Sequence, residues 1–475
     1  MRSINQTSAG RAGHARHSLM IALFLLLTGS ALSCSSDTTA PSEPFGAVEN
    51  KAGGANTIVV SSTAELVGAV SPENAGRRIL LRAGSYELNQ PLIVPDRVEL
   101  EGEGVMLFDG AGLPTGFAAG TRTTLRMVAN APGDVLTLGN GASVRRLAIE
   151  DLPGRAGNVV GVVSRDAGDR VSAAIVETEI VNPSAHRVVP SGPAGCGIAV
   201  LTLNPNMGGN PPPHSGAAIA AQIRRSLIRS PAMGTGCGLF AFNFAPLASV
   251  SVAASDNVFG GGMIAAGGVS RPDFVHDSRT VIQSRNNLYR DDTADPCVAR
   301  RIGWNLQGGA GTPVALSPIP GVERNALDVR SQGDRIEGFT LAVLGYGGRR
   351  YFTEPLSGPV SHNSLDLELL GATVATSACG GATFVSDFRL FAASVSAGTI
   401  YPGDGNTVRA VIRNVTGSGV RFNAYADVSS SGSQPVVSQG SGNRLRIVGS
   451  PQAFARTNDA IDPAPAPEFF TGGGP

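Results

Sequence analysis

From Ile79 to Gly104 the chain reads ILLRAGSYELNQPLIVPDRVELEGEG, in which short apolar runs (ILL, PLIV, VEL) are separated by stretches carrying Gly, Ser, Asn, Pro and Asp (RAGSYELNQ and PDR). Each run is too short for a helix, and the next follows too soon for a crossover helix to fit between parallel strands. This pattern predicts strands that bend at polar corners and stack coil upon coil, an all-β parallel β-helix. Further strands are expected at Val135–Leu138, Val144–Glu150, Ala173–Val181, Ala217–Ile228, Val250–Phe259, Val281–Tyr289, Leu327–Phe339, Leu365–Val374, Val408–Val415 and Leu445–Val448. Ser62-Thr63-Ala64-Glu65 is a capping box ahead of Leu66, Val67, Ala69 and Val70. It predicts a short helix covering the open end of the first coil.

Two finer repeats follow the same logic. A Gly-rich corner enters a strand at Gly195 (GCGIAV), Gly236 (GCGLFAF), Gly260 (GGGMIAA) and Gly417 (GSGVRFNA). A polar residue precedes an apolar pair in Asp256-Asn257-Val258-Phe259 and Asn286-Asn287-Leu288-Tyr289, with a related pattern in Arg413-Asn414-Val415. Asn tolerates the left-handed backbone of a sharp corner, and its amide bonds to the same residue one coil on, so an Asn ladder is expected.

The capping helix, first strand and first coil resemble the N-terminal end of pectin-lyase-like right-handed β-helix proteins. The resemblance implies a superfold with many activities, among them binding and cleavage of polysaccharides, rather than one reaction. On this reading the β-helix spans residues 57–460 and a disordered Pro/Gly tail spans 461–475.

The start of the chain has a different character. Arg2, Arg11 and Arg16 precede the apolar run Leu19–Leu27, which is shorter than a bilayer-spanning helix needs. Residues 1–33 therefore read as a signal peptide. Ala31-Leu32-Ser33-Cys34 resembles a bacterial lipobox, which implies a lipid on Cys34, and Ser35 resembles an outer-membrane sorting residue. A secreted chain with an ordinary cleaved signal is the alternative. Residues 34–56, rich in Ser, Thr, Pro, Gly and Ala, form a flexible tether.

Composition narrows the chemistry. Gly is abundant (62 residues) and aromatics are scarce (5%), which suits corners and strands. Removing the three leader arginines from 37 basic residues leaves 34 against 37 acidic ones, a net −3, so no basic footprint for nucleic acid exists. Lys51 is the sole lysine. A Lys-dependent lyase and a phosphate-binding Gly-Lys-Ser/Thr loop are thereby excluded from the folded body.

An Arg and Ca²⁺ lyase needs acids clustered beside an arginine. The local candidate is YRDDTADPCVARR, with Asp291, Asp292 and Asp295 as Ca²⁺ ligands, Arg301 as a catalytic group and Arg300 for substrate. His276-Asp277 is a second candidate, with Asp orienting an imidazole as general base. Trp304 is a candidate sugar-stacking face or a residue packed beneath the acidic loop. Asp291-Asp292 is similar to the polygalacturonase Asp pair, but the companion Gly-His-Gly and Arg-Ile-Lys motifs are missing. Cys196 and Cys237 hold the same place in their GCG repeats, so they either bridge or stack as buried thiols. Two readings emerge: an envelope protein that binds and, as a lyase, cleaves polysaccharide, or a non-catalytic structural or adhesive one.

Overall fold

The computed structural model describes residues 56–185, 187–189, 192–202, 215–231, 236–270, 274–292, 302–311, 321–350, 359–375, 386–396, 403–417, 422–429, 442–449 and 468–471. The leader, Cys34 and nearly all of the tether lie outside them. The described residues form a parallel β-helix of three long sheets, here A, B and C, containing 13, 10 and 10 strands. One coil runs through Arg279–Arg285 in sheet A, Leu288–Arg290 in sheet B and Ile302–Gly311 in sheet C, then enters sheet A again at Ala326–Gln332. Within each of the three sheets the strands follow chain order and pair in parallel.

Alternation decides which side chains enter the core. In Arg279–Arg285 the arginines at both ends are exposed while Thr280, Ile282 and Ser284 are buried. In register across sheet A, Ile79, Leu100, Val144, Ile175 and Ile223 form one inward column. Rungs about 4.8 Å apart let each side chain pack on its counterpart above and below.

The expected strands are present, but most are two strands. Val281–Tyr289, for example, divides into Arg279–Arg285 and Leu288–Arg290 around a two-residue corner. In that corner the first residue is left-handed and the second points inward. Glu177, Arg225, Asp256 and Asn286 have φ from +49° to +57°, and Thr178, Ser226, Asn257 and Asn287 follow them, fully buried. One left-handed residue turns the chain into the next sheet without a loop. The inward residues form the ladder: Ser226 N donates to Asn257 Oδ1 (2.8 Å), Asn257 N to Asn287 Oδ1 (2.9 Å) and Asn287 N to Asp334 Oδ1 (2.7 Å). Asn414 is a correction. It occupies the left-handed place (φ 53°), so its neighbour Val415 stands where a ladder residue would be.

A second ladder at the corner from sheet C to sheet A is longer. Ser278 N donates to Asn325 Oδ1 (2.9 Å), Asn325 N to Asn363 Oδ1 (3.1 Å), Asn363 N to Asn406 Oδ1 (3.1 Å) and Asn406 N to Asn443 Oδ1 (2.8 Å). Gly268, Gly309 and Gly348 make room for it, because a Cβ at each would collide with the amide of Asn325, Asn363 or Asn406.

Asp334 ends the first ladder inside the core, with its other oxygen accepting from Ser331 Oγ (2.6 Å). Burial pushes its carboxyl above the ordinary range, against the hydrogen bonds from Ser331 and Asn287 that pull it down. The native state thus holds this proton more tightly than the unfolded chain does. Stability therefore declines as pH rises above the unfolded value of about 3.9. Asp334→Asn keeps the acceptor for Asn287 and removes the charge. Urea titrations across pH are expected to show a higher midpoint than wild type at neutral pH and a flatter pH dependence.

The first coil is covered by a helix. Ser62 Oγ accepts from Glu65 N (3.3 Å) and starts the helix Thr63–Ala69, whose Leu66 and Ala69 are buried while Val67 faces out. At the other end, Glu468–Thr471 pairs with Arg444–Gly449 as the last strand of sheet A. Glu468-Phe469-Phe470-Thr471 lies within the stretch that the sequence reads as a Pro/Gly tail, and there an edge strand offers free backbone groups to an extended segment; the rest of 461–475 lies outside the described residues. Cys196 and Cys237 are joined by a disulfide between consecutive coils, with Cα atoms 4.7 Å apart. Around it Leu201, Phe240, Phe242 and Ile264 bury the outer face of sheet C.

Candidate functional site

The candidate site lies on the corner between sheets C and A. Val275–His276 pairs with Val322–Glu323, which pairs with Val360–Ser361, giving a small three-stranded side sheet. The residue after each strand is left-handed: Asp277, Arg324 and His362, with φ between +53° and +57°. Leu247 on the coil before has the same conformation, and its N–H donates to His276 O (2.9 Å). The buried ladder beneath therefore fixes an outward row of side chains, one for each coil.

In that row His276 Nδ1 lies 2.8 Å from Asp277 Oδ2. Arg324 grips Asp277 with both edges, Nε to Oδ1 and Nη2 to Oδ2, each at 2.9 Å, and its Nη1 donates to Glu323 Oε2 (3.1 Å). The Phe274 ring sits 5.1 Å from the imidazole and remains 38% exposed. Arg324 and then His276, through their hydrogen bonds, hold the Asp277 carboxyl down at about 2. The depressed value means that Asp277 contributes stability above the unfolded value of about 3.9, lost as pH falls through about 2. The contribution is small because the carboxylate is open to solvent. Arg324→Ala is expected to return the Asp277 titration, followed by carboxyl-carbon NMR, toward about 3.9.

The geometry defines what the row is able to do. Asp277 orients the imidazole through Nδ1, so Nε2 is the ring atom left for a ligand. Lyase chemistry on a uronate also needs a cation against the substrate carboxylate. Arg324 is committed to Asp277 and Glu323, so it does not supply one. The row offers hydroxyl-binding groups of both kinds beside an open aromatic face.

The acidic candidates stand elsewhere. Asp292 turns back to an earlier coil, where its Oδ2 accepts from Ser230 N (3.0 Å) beside Gly260. Burial raises its carboxyl, against that hydrogen bond and Arg290. Asp291 lies against Gly338 of the following coil. The Asp292 contact is at the start of strand Gly262–Ser270, and His276 follows its end. The eight steps of this strand, at roughly 3.3 Å each, span about 26 Å. His276-Asp277 and Asp291-Asp292 therefore do not share one centre. Asp295, Arg300 and Arg301 lie outside the described residues, and among the described residues no three His, Cys, Asp or Glu side chains gather as a metal site.

Trp304 as a sugar platform is a correction. It is fully enclosed, with Tyr289 edge-on at 5.1 Å, because its place in sheet C faces the core. The aromatic surface beside polar groups is Phe274 instead. Sequence reading missed Arg324 and Glu323, which only the register between coils brings beside Asp277. The ladder partners Ser278 and Asn325 stand 47 residues apart, and so do Asp277 and Arg324.

No family model matches the chain, and no curated protein matches it. Among solved structures it is similar to a pectate lyase mutant of Bacillus subtilis, with 9% identity and a TM-score of 0.21 over 72% of this chain and 80% of that one.

Proposed function

We propose that this chain is an envelope protein, anchored to the outer membrane through a lipid on Cys34, that binds a hydroxyl-rich polysaccharide without cleaving it. The observation that carries this reading is the exposed Phe274 ring next to His276, Asp277, Arg324 and Glu323 on one corner row. A sugar places its apolar face on an aromatic ring and its hydroxyls among paired donors and acceptors. The carboxylates of Asp277 and Glu323 accept, as does the imidazole Nε2 when the ring proton sits on Nδ1 against Asp277, and the guanidinium donates. Because Arg324 is already neutralised, the row suits a neutral glycan better than a uronate.

The test is binding of the mature protein to a panel of neutral and acidic polysaccharides by titration calorimetry. Phe274→Ala is expected to weaken binding about tenfold or more, as removal of a central aromatic anchor does. Equal affinity in wild type and Phe274→Ala, or no binding to any polysaccharide, would overturn the reading. Ultraviolet absorbance from unsaturated products is expected to stay flat on alginate, pectate and glycosaminoglycans, with or without Ca²⁺. A rise abolished by Arg301→Ala would restore the lyase.

A further inference from the structure

Among the described residues, most of the exposed large aliphatic side chains lie at the end where the first coils stand. Of the eight large hydrophobic residues exposed among the described ones, Val59, Val67, Ile93, Val105, Leu107 and Val128 belong to the capping elements and first two coils. The other two, Leu247 and Phe274, stand at the corner row. Val67 points out from the capping helix, and Val59 and Ile93 point out from the end strands of sheets A and C. The outer row of sheet A turns from Val59 and Leu80 to Glu101 and Arg145 within four strands.

We infer that this capped end rests in the headgroup region of the lipid surface that carries the anchor. The inference depends on the proposed lipid at Cys34 and goes beyond it, since a tether alone leaves the body free to tumble. Three observations favour lipid as the occupant. The first described residue, Asn56, enters at this end, only 22 residues after Cys34, so the anchor delivers this end first. Two coils span about 10 Å along the axis, comparable to the depth of interfacial apolar surfaces. Several charges at this end are already engaged, Arg78 with Glu101, Arg82 with Glu103, and Glu65 with Ser61 N and Oγ, which lowers the cost of moving them out of bulk water, while Glu73, Arg77 and Glu87 are exposed and stay at the water-facing rim. The arrangement holds the axis upright and lifts the Phe274 row several coils above the membrane.

The test uses the full lipidated protein on phosphatidylethanolamine and phosphatidylglycerol vesicles with brominated acyl chains. A second indole is added as Val67→Trp, Ile93→Trp or, as a distant control, Gln332→Trp; native Trp304 is enclosed and provides a constant background. Val67→Trp and Ile93→Trp are expected to shift to the blue, and the added emission to fall by about half, while Gln332→Trp stays unchanged. Flotation with the vesicles but no quenching at either site overturns the docking and leaves the anchor standing. A blue shift without bromine quenching, with doubled mass in detergent, also overturns it and assigns the end to a second copy. Failure to float overturns the anchor and the docking together.

Discussion

Asn363→Ala lowers the free energy of unfolding by about 3–6 kcal/mol, the sum expected for several buried polar groups left without partners. Asn363 Oδ1 accepts from both the N–H and the amide of Asn325, each at 3.1 Å, and its own amide donates to Val322 O (3.0 Å) and Asn406 Oδ1 (3.2 Å). Truncation leaves the two Asn325 donors and the Val322 carbonyl without that partner in a buried corner. Asn414→Ala is the control. Asn414 is left-handed and outside the ladder, so its replacement costs only the backbone preference, about 1 kcal/mol. Urea unfolding with the disulfide intact measures both, and similar losses in the two variants would sink the ladder argument.

The second large effect is Arg155→Met. Arg155 and Asp151 are both enclosed. Arg155 donates to both oxygens of Asp151 (2.5 and 3.1 Å), to Ala131 O (3.0 Å), to Asn158 O (3.1 Å) and to Gly133 O. Burial raises the Asp151 and Asp134 carboxyls, and the arginine pulls each of them down. Removing the guanidinium strands buried acids, so a loss of about 3–5 kcal/mol is expected. Adding Asp151→Leu recovers much of that loss, because an apolar pair needs no partner. A single-variant loss below about 1 kcal/mol would show that water reaches this site.

The solenoid was legible because the same apolar alternation recurs coil after coil and each coil buries its own short strands. Corners were less legible. A single left-handed residue such as Asn286 does not interrupt the alternation, so Val281–Tyr289 reads as one strand. The second ladder escaped notice because Asn325, Asn363 and Asn406 are separated by irregular loops, and only strand register lines them up. The paired glycines at 267–268, 308–309 and 347–348 recur 41 and 39 residues apart, yet their purpose is apparent only when the asparagines they admit are seen one turn away.

For the candidate site, His276 and Asp277 were visible as neighbours in sequence, whereas Arg324 reached Asp277 only through the stacking of coils. The sequence by itself determined the stacked coils, the helical cap and the inward asparagines Asn257 and Asn287, since these follow from local alternation and from polar residues set before an apolar pair. Tertiary structure alone decided which side chains meet. It enclosed Trp304, set Asp292 at the far end of a strand from His276, and gave Asp277 an arginine from the next coil. The reason is physical: contact between coils depends on register, and register depends on loop lengths that local patterning does not encode.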